Sequence, residues 1–184
     1  VQELRRNGSW CGETHVQKGT YLLQELKQVT LEYDFILYKH GPYSFTLTDE
    51  LGVMRGYGLL TLEPSSEGFR PRFAETESAL RNIERHKQLF ETHRREIEAV
   101  ARIVGKKSAA ELERLTTALL ITIRHLPTAT AEARAARLHE LKSHVSLEDA
   151  LEAVRAIDAI LSDSAAPPQD RPTDSMGALR GAPA

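Results

Sequence analysis

Apolar residues in the first part of the chain recur at helical spacing. Between Glu13 and Lys27 they fall close to one residue in every 3.6, the period of an amphipathic α-helix. These apolar positions are Val16, Tyr21, Leu22, Leu23 and Leu26. The pattern predicts a helix with one face turned towards a core, and Glu13 near its start suits the helix dipole.

A strand and a turn are predicted next. The run Tyr33 to Tyr38 is rich in aromatic and branched residues, which favours a short strand with residues 35–37 buried. Gly41 and Pro42 then indicate a sharp turn, because glycine tolerates positive φ and proline fixes its own φ. The chain is expected to reverse direction at this point.

A second helix is predicted after the turn. Ser44, or Thr46 or Thr48 slightly later, can cap a helix that runs to about Arg55. Its buried face is expected to consist of Leu47, Leu51 and Met54, which lie at helical spacing.

A hairpin is predicted after this second helix. Residues 59–62 and 69–73 have the character of strands, and the segment 64–68 between them is polar and ends in glycine. Arg70 and Arg72 alternate with phenylalanines, so one face of the second strand is apolar and the other positive. Helix, strand, turn, helix and hairpin follow the order of a winged helix-turn-helix.

Helical spacing dominates the rest of the chain. We predict a long amphipathic helix from Thr76 or Glu75 to about Val104 and three further helices over residues 108–127, 130–144 and 146–161. The fold class is therefore α+β and mostly helical.

Three regions follow from these elements. They are a winged helix-turn-helix over residues 1–76, a helical region packed on it over residues 77–162, and a disordered tail over residues 163–184. A winged helix normally has a whole helix before the loop at Asn7, so we expect either that only its last turn is present from Val1 or that the natural start lies upstream.

Composition narrows the classes of function. The net charge of −2 argues against a chain that mainly coats nucleic acid. The single cysteine excludes an intrachain disulfide and a cysteine-rich metal site, which fits a cytoplasmic protein. We expect no membrane span, because no run of about 18 apolar residues occurs, and no signal peptide, because the first residues are charged.

Two motifs resemble a known family when they are taken together. They are Gly-Glu-Thr-His-Val-Gln-Lys at residues 12–18 with Tyr21-Leu22-Leu23, and Tyr-Lys-His-Gly-Pro-Tyr-Ser at residues 38–44. They are similar to the Panacea (SocA-like) antitoxin-associated domain and the related YwgA-like proteins of bacteria and archaea. Residues 111–120 and 140–153 are similar to the helical half of YwgA-like proteins, so the resemblance covers about residues 10–160.

The resemblance implies a compact, winged-helix-like prokaryotic domain. Such domains are often encoded near toxin, phage or defence genes and bind protein or nucleic acid. The resemblance supplies no catalytic residues for this chain. Two departures are visible: the N-terminal helix is mostly missing, and Gly19 replaces a larger residue that usually follows the Gln-Lys pair.

Five polar or aromatic residues are candidates for contact with a partner. Gln17 and Lys18 are expected to be exposed beside the apolar face of the first helix. They either touch a partner, or Lys18 pairs with a carboxylate while Gln17 bonds the Gly41-Pro42 turn. Tyr38, His40 and Tyr43 flank that turn. They form either a platform for a peptide or a base, or two half-buried tyrosines and a turn histidine.

Arginines are the candidates for phosphate contact if the partner is DNA. They are Arg70 and Arg72 on the hairpin, and Arg81, Arg85, Arg94 and Arg95 on the long helix. Glutamates lie three or four residues from many of them, so a salt-bridged, solvated face is the alternative interpretation. The helix after Ser44 carries Asp49 and Glu50, which argues against reading of bases in the major groove.

Chemistry other than binding has little support in the sequence. Cys11 and His15 are four residues apart, but Cys11 is expected to be a packing residue, and His86 and His93 have no third ligand nearby. We expect no catalytic site, no metal and no cofactor.

The predicted function is that of a non-enzymatic prokaryotic binding module, antitoxin-like or regulatory. It is expected to act by protein–protein contact with a toxin or a defence component. The alternative is a winged-helix DNA-binding transcriptional regulator, so DNA stays open as a partner, as does a homodimer.

Overall fold

A computed structural model describes residues 1–65 and 68–165 of the protein, with all side chains except those of residues 65, 68–70, 164 and 165. The last described helix includes residues 163–165, which were predicted to begin the tail. The remainder of the predicted tail and the middle of the predicted hairpin turn lie outside the described residues. The protein is α+β and mostly helical, as predicted.

The first half of the described chain mixes short helices with two antiparallel strand pairs. In order, its elements are α1 (Gln2–Arg6), α2 (Glu13–Glu25), β1 (Ile36–Tyr38), β2 (Gly41–Tyr43), α3 (Phe45–Gly56), β3 (Leu60–Ser65) and β4 (Gly68–Glu75). Strand β1 pairs with β2, and β3 pairs with β4. The two pairs belong to separate sheets.

The second half is helical. Its elements are α4 (Glu77–Arg85), α5 (Lys87–Thr92), α6 (Arg94–Val104), α7 (Ala109–Leu120), a π-helical turn (Ile121–His125), α8 (Ala131–Leu141) and α9 (Leu147–Ala165). Ser108 caps α7 through a capping box with Glu111, as its spacing predicted. The side chains of Thr130 and Ser146 accept the corresponding capping bonds at the starts of α8 and α9.

One apolar core joins the two halves. Its fully buried members include Tyr21 and Leu22 of α2, Phe35 before β1, Leu119 of α7 and Ile157 of α9. Helix α7 packs against α2, β2 and α9, so it lies at the centre of the described fold. The predicted apolar face of α2 is confirmed, with Leu23 partly buried.

The predicted hairpin after α3 is confirmed as β3–β4. The register of its strands places apolar residues on one face and charged residues on the other. Leu62 pairs with Phe73, which is buried, and Glu63 pairs with Arg72. Phe73 also donates its backbone N–H to the carbonyl of Cys11 at 2.8 Å, which ties β4 to the loop before α2.

Two predictions about local burial are wrong. Ile36 was expected in a buried strand, but its side chain is exposed because β1 pairs with β2 alone and leaves one face uncovered. Met54 was expected on the buried face of α3, yet it is also exposed, because only Leu47 and Leu51 of that face reach the core. The turn lies at residues 39–40, and Gly41 and Pro42 belong to β2.

The long helix predicted from Thr76 to Val104 is interrupted twice. Thr76 caps its start as predicted, but His86 and His93 leave helical geometry, with φ/ψ of −110/27° and −116/16°. The two bends let α6 pack against α1 and α2 while α4 packs against β4. A sparse apolar seam of one residue per heptad does not enforce a straight helix.

Two glycines give opposite expectations for alanine substitution. A Cβ at Gly19, inside α2, would lie 3.6 Å from Leu4 at ordinary contact distance. Gly19→Ala is therefore expected to raise the free energy of unfolding by about 0.5–1 kcal/mol, the helix preference of alanine over glycine. Urea unfolding followed by circular dichroism measures this change.

The matched variant is Gly41→Ala, which is expected to be destabilising. Gly41 has φ +83°, and a Cβ there would lie 2.9 Å from the hydroxyl oxygen of Thr117. A Gly19→Ala protein that is less stable than the wild type would contradict the packing described for α2.

Candidate functional site

The side chain of Gln17 joins α2 to the start of α3. It is fully buried, and its amide makes both possible hydrogen bonds with the backbone of Ser44. Gln17 Nε2 donates to the Ser44 carbonyl at 2.8 Å, and the Ser44 N–H donates to Gln17 Oε1 at 3.0 Å. Gln17 Nε2 also lies 2.9 Å from the hydroxyl of Thr48. Since Ser44 is the N-cap of α3, Gln17 fixes where that helix begins.

Lys18 makes the corresponding bond to β2. Its side chain is 1% exposed, and its Nζ donates to the carbonyl of Pro42 at 2.6 Å. Burial lowers the pKa of Lys18 to about 8, although the nearby Glu113 carboxylate opposes this by favouring the charged form. A buried ammonium group of α2 therefore contacts the backbone of the β1–β2 hairpin, which is called the hairpin from here on.

These positions correct the expectation that Gln17 and Lys18 are exposed. Helical spacing assigned both residues to the solvent side of α2, but β2, α3 and α7 cover that side as well. Their polar atoms bond the backbone of residues 42–44. The second interpretation is therefore met in part: Lys18, rather than Gln17, bonds the Gly41-Pro42 turn, and Gln17 bonds Ser44 just after it. Neither side chain is accessible to a partner in this structure.

Lys142 and Glu113 hold the same hairpin from the other side, and the sequence analysis did not identify them as site residues. Both side chains are 7% exposed, and Lys142 Nζ lies 3.1 Å from Glu113 Oε1. Lys142 Nζ also donates to the carbonyl of Tyr38 at 2.8 Å. Lys142 is therefore paired with the same buried carboxylate that opposes the lowering of the Lys18 pKa.

Two histidines border this charged cluster. His40 Nδ1 lies 3.4 Å from Glu113 Oε2, and His144 Nε2 lies 3.5 Å from Glu113 Oε1. Both imidazole rings are largely exposed. His40 was predicted as a partner contact, and the structure places it at the hairpin turn with one side open to solvent.

The exposed face of the hairpin carries a cluster of three aromatic rings, which we call the aromatic platform. It consists of Tyr38, Tyr43 and Phe45, with ring centroids 5.1–5.7 Å apart. Tyr38 is 42% exposed and Phe45 is 53% exposed. The two tyrosines were predicted from the sequence, whereas Phe45 was missed because it follows the N-cap rather than the turn.

The aromatic platform is held by polar contacts at its edge. The Tyr43 hydroxyl donates to Glu13 at 2.9 Å and lies 2.6 Å from the hydroxyl of Thr48. Thr48 in turn is bonded to the buried amide of Gln17. The exposed rings are therefore connected directly to the buried hydrogen bonds beneath them.

The predicted phosphate-binding arginines do not form one basic surface. Arg72 pairs with Glu63 at 2.9 Å, Arg81 pairs with Glu77, and Arg94 pairs with Glu91 and Glu98. Arg85 and Arg95 are exposed and make no ion pair with a described residue. The side chain of Arg70 lies outside the described part of the chain.

Cys11 and His15 are both buried and are not arranged as a reactive pair. Burial raises the pKa of the Cys11 thiol and lowers the pKa of His15, so both are held in their neutral forms. His15 Nε2 is bonded to the carbonyl of Lys107 at 3.1 Å. Within residues 1–65 and 68–165, no cluster of three or more His, Cys, Asp or Glu side chains is placed to hold a metal ion.

No protein-family model matches the chain, and no curated protein matches it. Among the described helices, none has both the length and the apolar character needed to cross a bilayer.

The depressed pKa of Lys18 predicts a pH dependence of stability. Its ordinary pKa is 10.5 and its folded value is about 8. Between these values the unfolded chain keeps a proton that the folded protein has released, so the free energy of unfolding rises with pH. The rise due to Lys18 is at most about 1.4 kcal/mol per pH unit.

The Lys18→Met variant isolates this contribution, because methionine has no proton to lose. Chemical unfolding of both proteins from pH 7 to 10 gives the difference in their free energies of unfolding, in which the titration of shared tyrosines cancels. We expect the free energy of unfolding of the wild type to increase relative to that of the variant as the pH rises above 8. A difference that stays constant would show that Lys18 is not desolvated.

Proposed function

We propose that this protein is a non-enzymatic binding module that acts by protein–protein contact through the aromatic platform. The observation that carries the proposal is the combination of exposed rings with a buried polar scaffold. Tyr38 and Phe45 expose about half of their surfaces, yet Tyr38 lies on the β1–β2 hairpin and Phe45 at the start of α3, and the backbone of residues 38–44 between them is bonded by Gln17, Lys18 and Lys142.

The chemistry of the aromatic platform suits a protein partner. Aromatic side chains are enriched among the residues that contribute most to binding energy at protein interfaces. A surface that is rigid before binding loses less conformational entropy on association than a mobile loop does. Ile36, which is exposed and pairs with Tyr43 across the sheet, adds apolar area beside the rings.

The resemblance to Panacea (SocA-like) and YwgA-like domains supports a particular kind of partner. We propose an antitoxin-like or regulatory role in a prokaryotic cytoplasm, with a toxin or a defence component as the bound protein. The winged helix-turn-helix is the finer description of the fold in this proposal: α2 and α3 are the paired helices, and β3–β4 is the wing.

A DNA-binding regulator is the second candidate. It is favoured by the exposed Arg85 and Arg95, which have no described ion-pair partner, and by the position of β3–β4 directly after α3. Asp49 and Glu50 on the exposed side of α3 argue against it, because they would face the phosphates and base edges of a major groove.

Affinity capture from the native cell extract, with and without nuclease, tests the two candidates together. We expect one protein to be recovered in near-equal amount despite nuclease treatment. Tyr38→Ala and Phe45→Ala are expected to weaken its binding at least about tenfold, the effect of losing about 1.4 kcal/mol at an interface hot spot. The purified partner and titration calorimetry give this number.

Tyr57→Ala is the matched control, because Tyr57 is 78% exposed and lies outside the aromatic platform. Its affinity is expected to stay within about twofold of the wild type. Equal losses in all three variants would contradict the proposed surface. Recovery of DNA instead, with binding that weakens steeply as salt rises, would favour the regulator.

A further inference from the structure

Strand β1 has an open edge. It belongs to a sheet of two strands, and its partner β2 packs against α2 and α7, which cover the outer edge of β2. Among the described elements, β2 is the one that packs closely against β1. The edge of β1 that faces away from β2 is therefore the side on which a further strand can add.

The middle of this edge carries backbone groups without a partner. Leu37 pairs with Pro42 across the sheet, and proline has no N–H to donate. Residues of an antiparallel pair point their N–H and C=O groups alternately towards and away from the other strand, so those of Leu37 point away from β2. Neither group bonds to another described residue. An N–H beside a C=O on a strand edge is matched by the backbone of another extended segment.

The two ends of the edge are already bonded. Arg124 donates to the carbonyl of Phe35 at 3.4 Å, and Lys142 donates to the carbonyl of Lys39. The Lys142 side chain is 7% exposed, so it approaches from the core rather than from outside the sheet. The free groups are confined to Leu37, and this confinement centres any added strand on that residue.

Strand β1 lacks the features that usually keep a strand edge from pairing, which are charged residues, proline and bulges. All three residues of Ile36–Tyr38 are uncharged, and none is proline. The β3–β4 hairpin, in contrast, contains Pro64 and Pro71 and has an irregular register at Pro64. The edge of β1 is thus open to pairing by composition as well as by position.

A second copy of this edge is complementary to it. In an antiparallel arrangement centred on Leu37, the Leu37 N–H of each copy donates to the Leu37 carbonyl of the other. Ile36 of one copy then lies opposite Tyr38 of the other, and both side chains are exposed in the single chain, by 45% and 42%. Cross-strand pairs of a branched and an aromatic side chain stabilise a sheet.

The charges at the two ends of the edge fit the same arrangement. Asp34 precedes Leu37 and Lys39 follows it, and both charged side chains are exposed without an ion pair to a described residue. The Lys39 Nζ lies 6.0 Å from the centroid of the Tyr38 ring, so it reaches the exposed face of the sheet. Antiparallel pairing places Asp34 of each copy diagonally across from Lys39 of the other, and opposite charges so placed attract.

We infer that β1 pairs with β1 of a second copy, so that the protein forms a two-fold homodimer with a four-stranded sheet in the order β2–β1–β1–β2. The two-fold axis is perpendicular to this sheet. The aromatic platforms of both copies therefore lie on the same face, and their rings stay open to a further partner. The homodimer does not rest on the proposed function.

Sedimentation equilibrium of the full chain from micromolar to submillimolar concentration tests the inference. We expect a reversible equilibrium between monomer and dimer. Ile36→Lys places a charge on the strand edge and is expected to weaken the dimer at least about tenfold. Val53→Lys is the matched control, because Val53 is 54% exposed on α3, away from β1; its dimer should stay within about twofold of the wild type.

Reversal of the two charges tests the antiparallel orientation. Asp34→Lys and Lys39→Asp are each expected to weaken the dimer at least about fivefold, because each replaces two attractive contacts by repulsive ones. The double variant exchanges the charges and is expected to return to within about twofold of the wild type, since a two-fold interface makes each contact twice.

Three results would overturn the homodimer. They are a wild type that stays monomeric over the whole range, a dimer that Ile36→Lys weakens no more than Val53→Lys does, and a double variant no tighter than the single charge reversals. Pairing of an extended segment of another protein with a wild type that stays monomeric would assign the edge to that protein instead.

Discussion

The hairpin β1–β2 depends on hydrogen bonds that buried side chains donate to its backbone. Two strands of three residues are marginal on their own in water. Gln17 and Lys18 of α2, and Lys142 at the end of α8, reach the backbone of residues 38–44. An unsatisfied buried polar group costs about 1–3 kcal/mol, so these bonds decide whether the hairpin can lie against α7 at all.

The buried charges are part of the same constraint. Two lysines beside one carboxylate are costly to bury, and each depends on Glu113 or on a backbone carbonyl for compensation. This arrangement fixes the position of the hairpin rather than adding much to overall stability. The rings of Tyr38, Tyr43 and Phe45 lie on or directly beside this fixed backbone and pack against one another. Their apolar surface is therefore ordered although no other element covers it.

Local patterns predicted much of the fold, and long-range contacts account for what they missed. Capping chemistry predicted the start of α7 because Ser108 and Glu111 act within one turn. The spacing of apolar residues placed Gln17 and Lys18 on the solvent side of α2. That spacing gives no information about β2, α3 and α7, which cover the polar side of the helix as well. Glu113 and Lys142 are 29 positions apart and serve a hairpin at residues 38–44, so neighbouring residues gave no signal of their role.

Buried side chains, rather than strand pairing, hold the β1–β2 hairpin in place. This can be measured by native-state hydrogen exchange of the hydrogen-bonded backbone amides of β1, β2 and Ser44, compared with those of α2. We expect these amides to exchange only through global unfolding and to be protected as strongly as the core of α2. Exchange close to that of an unstructured peptide, while α2 remains protected, would contradict it.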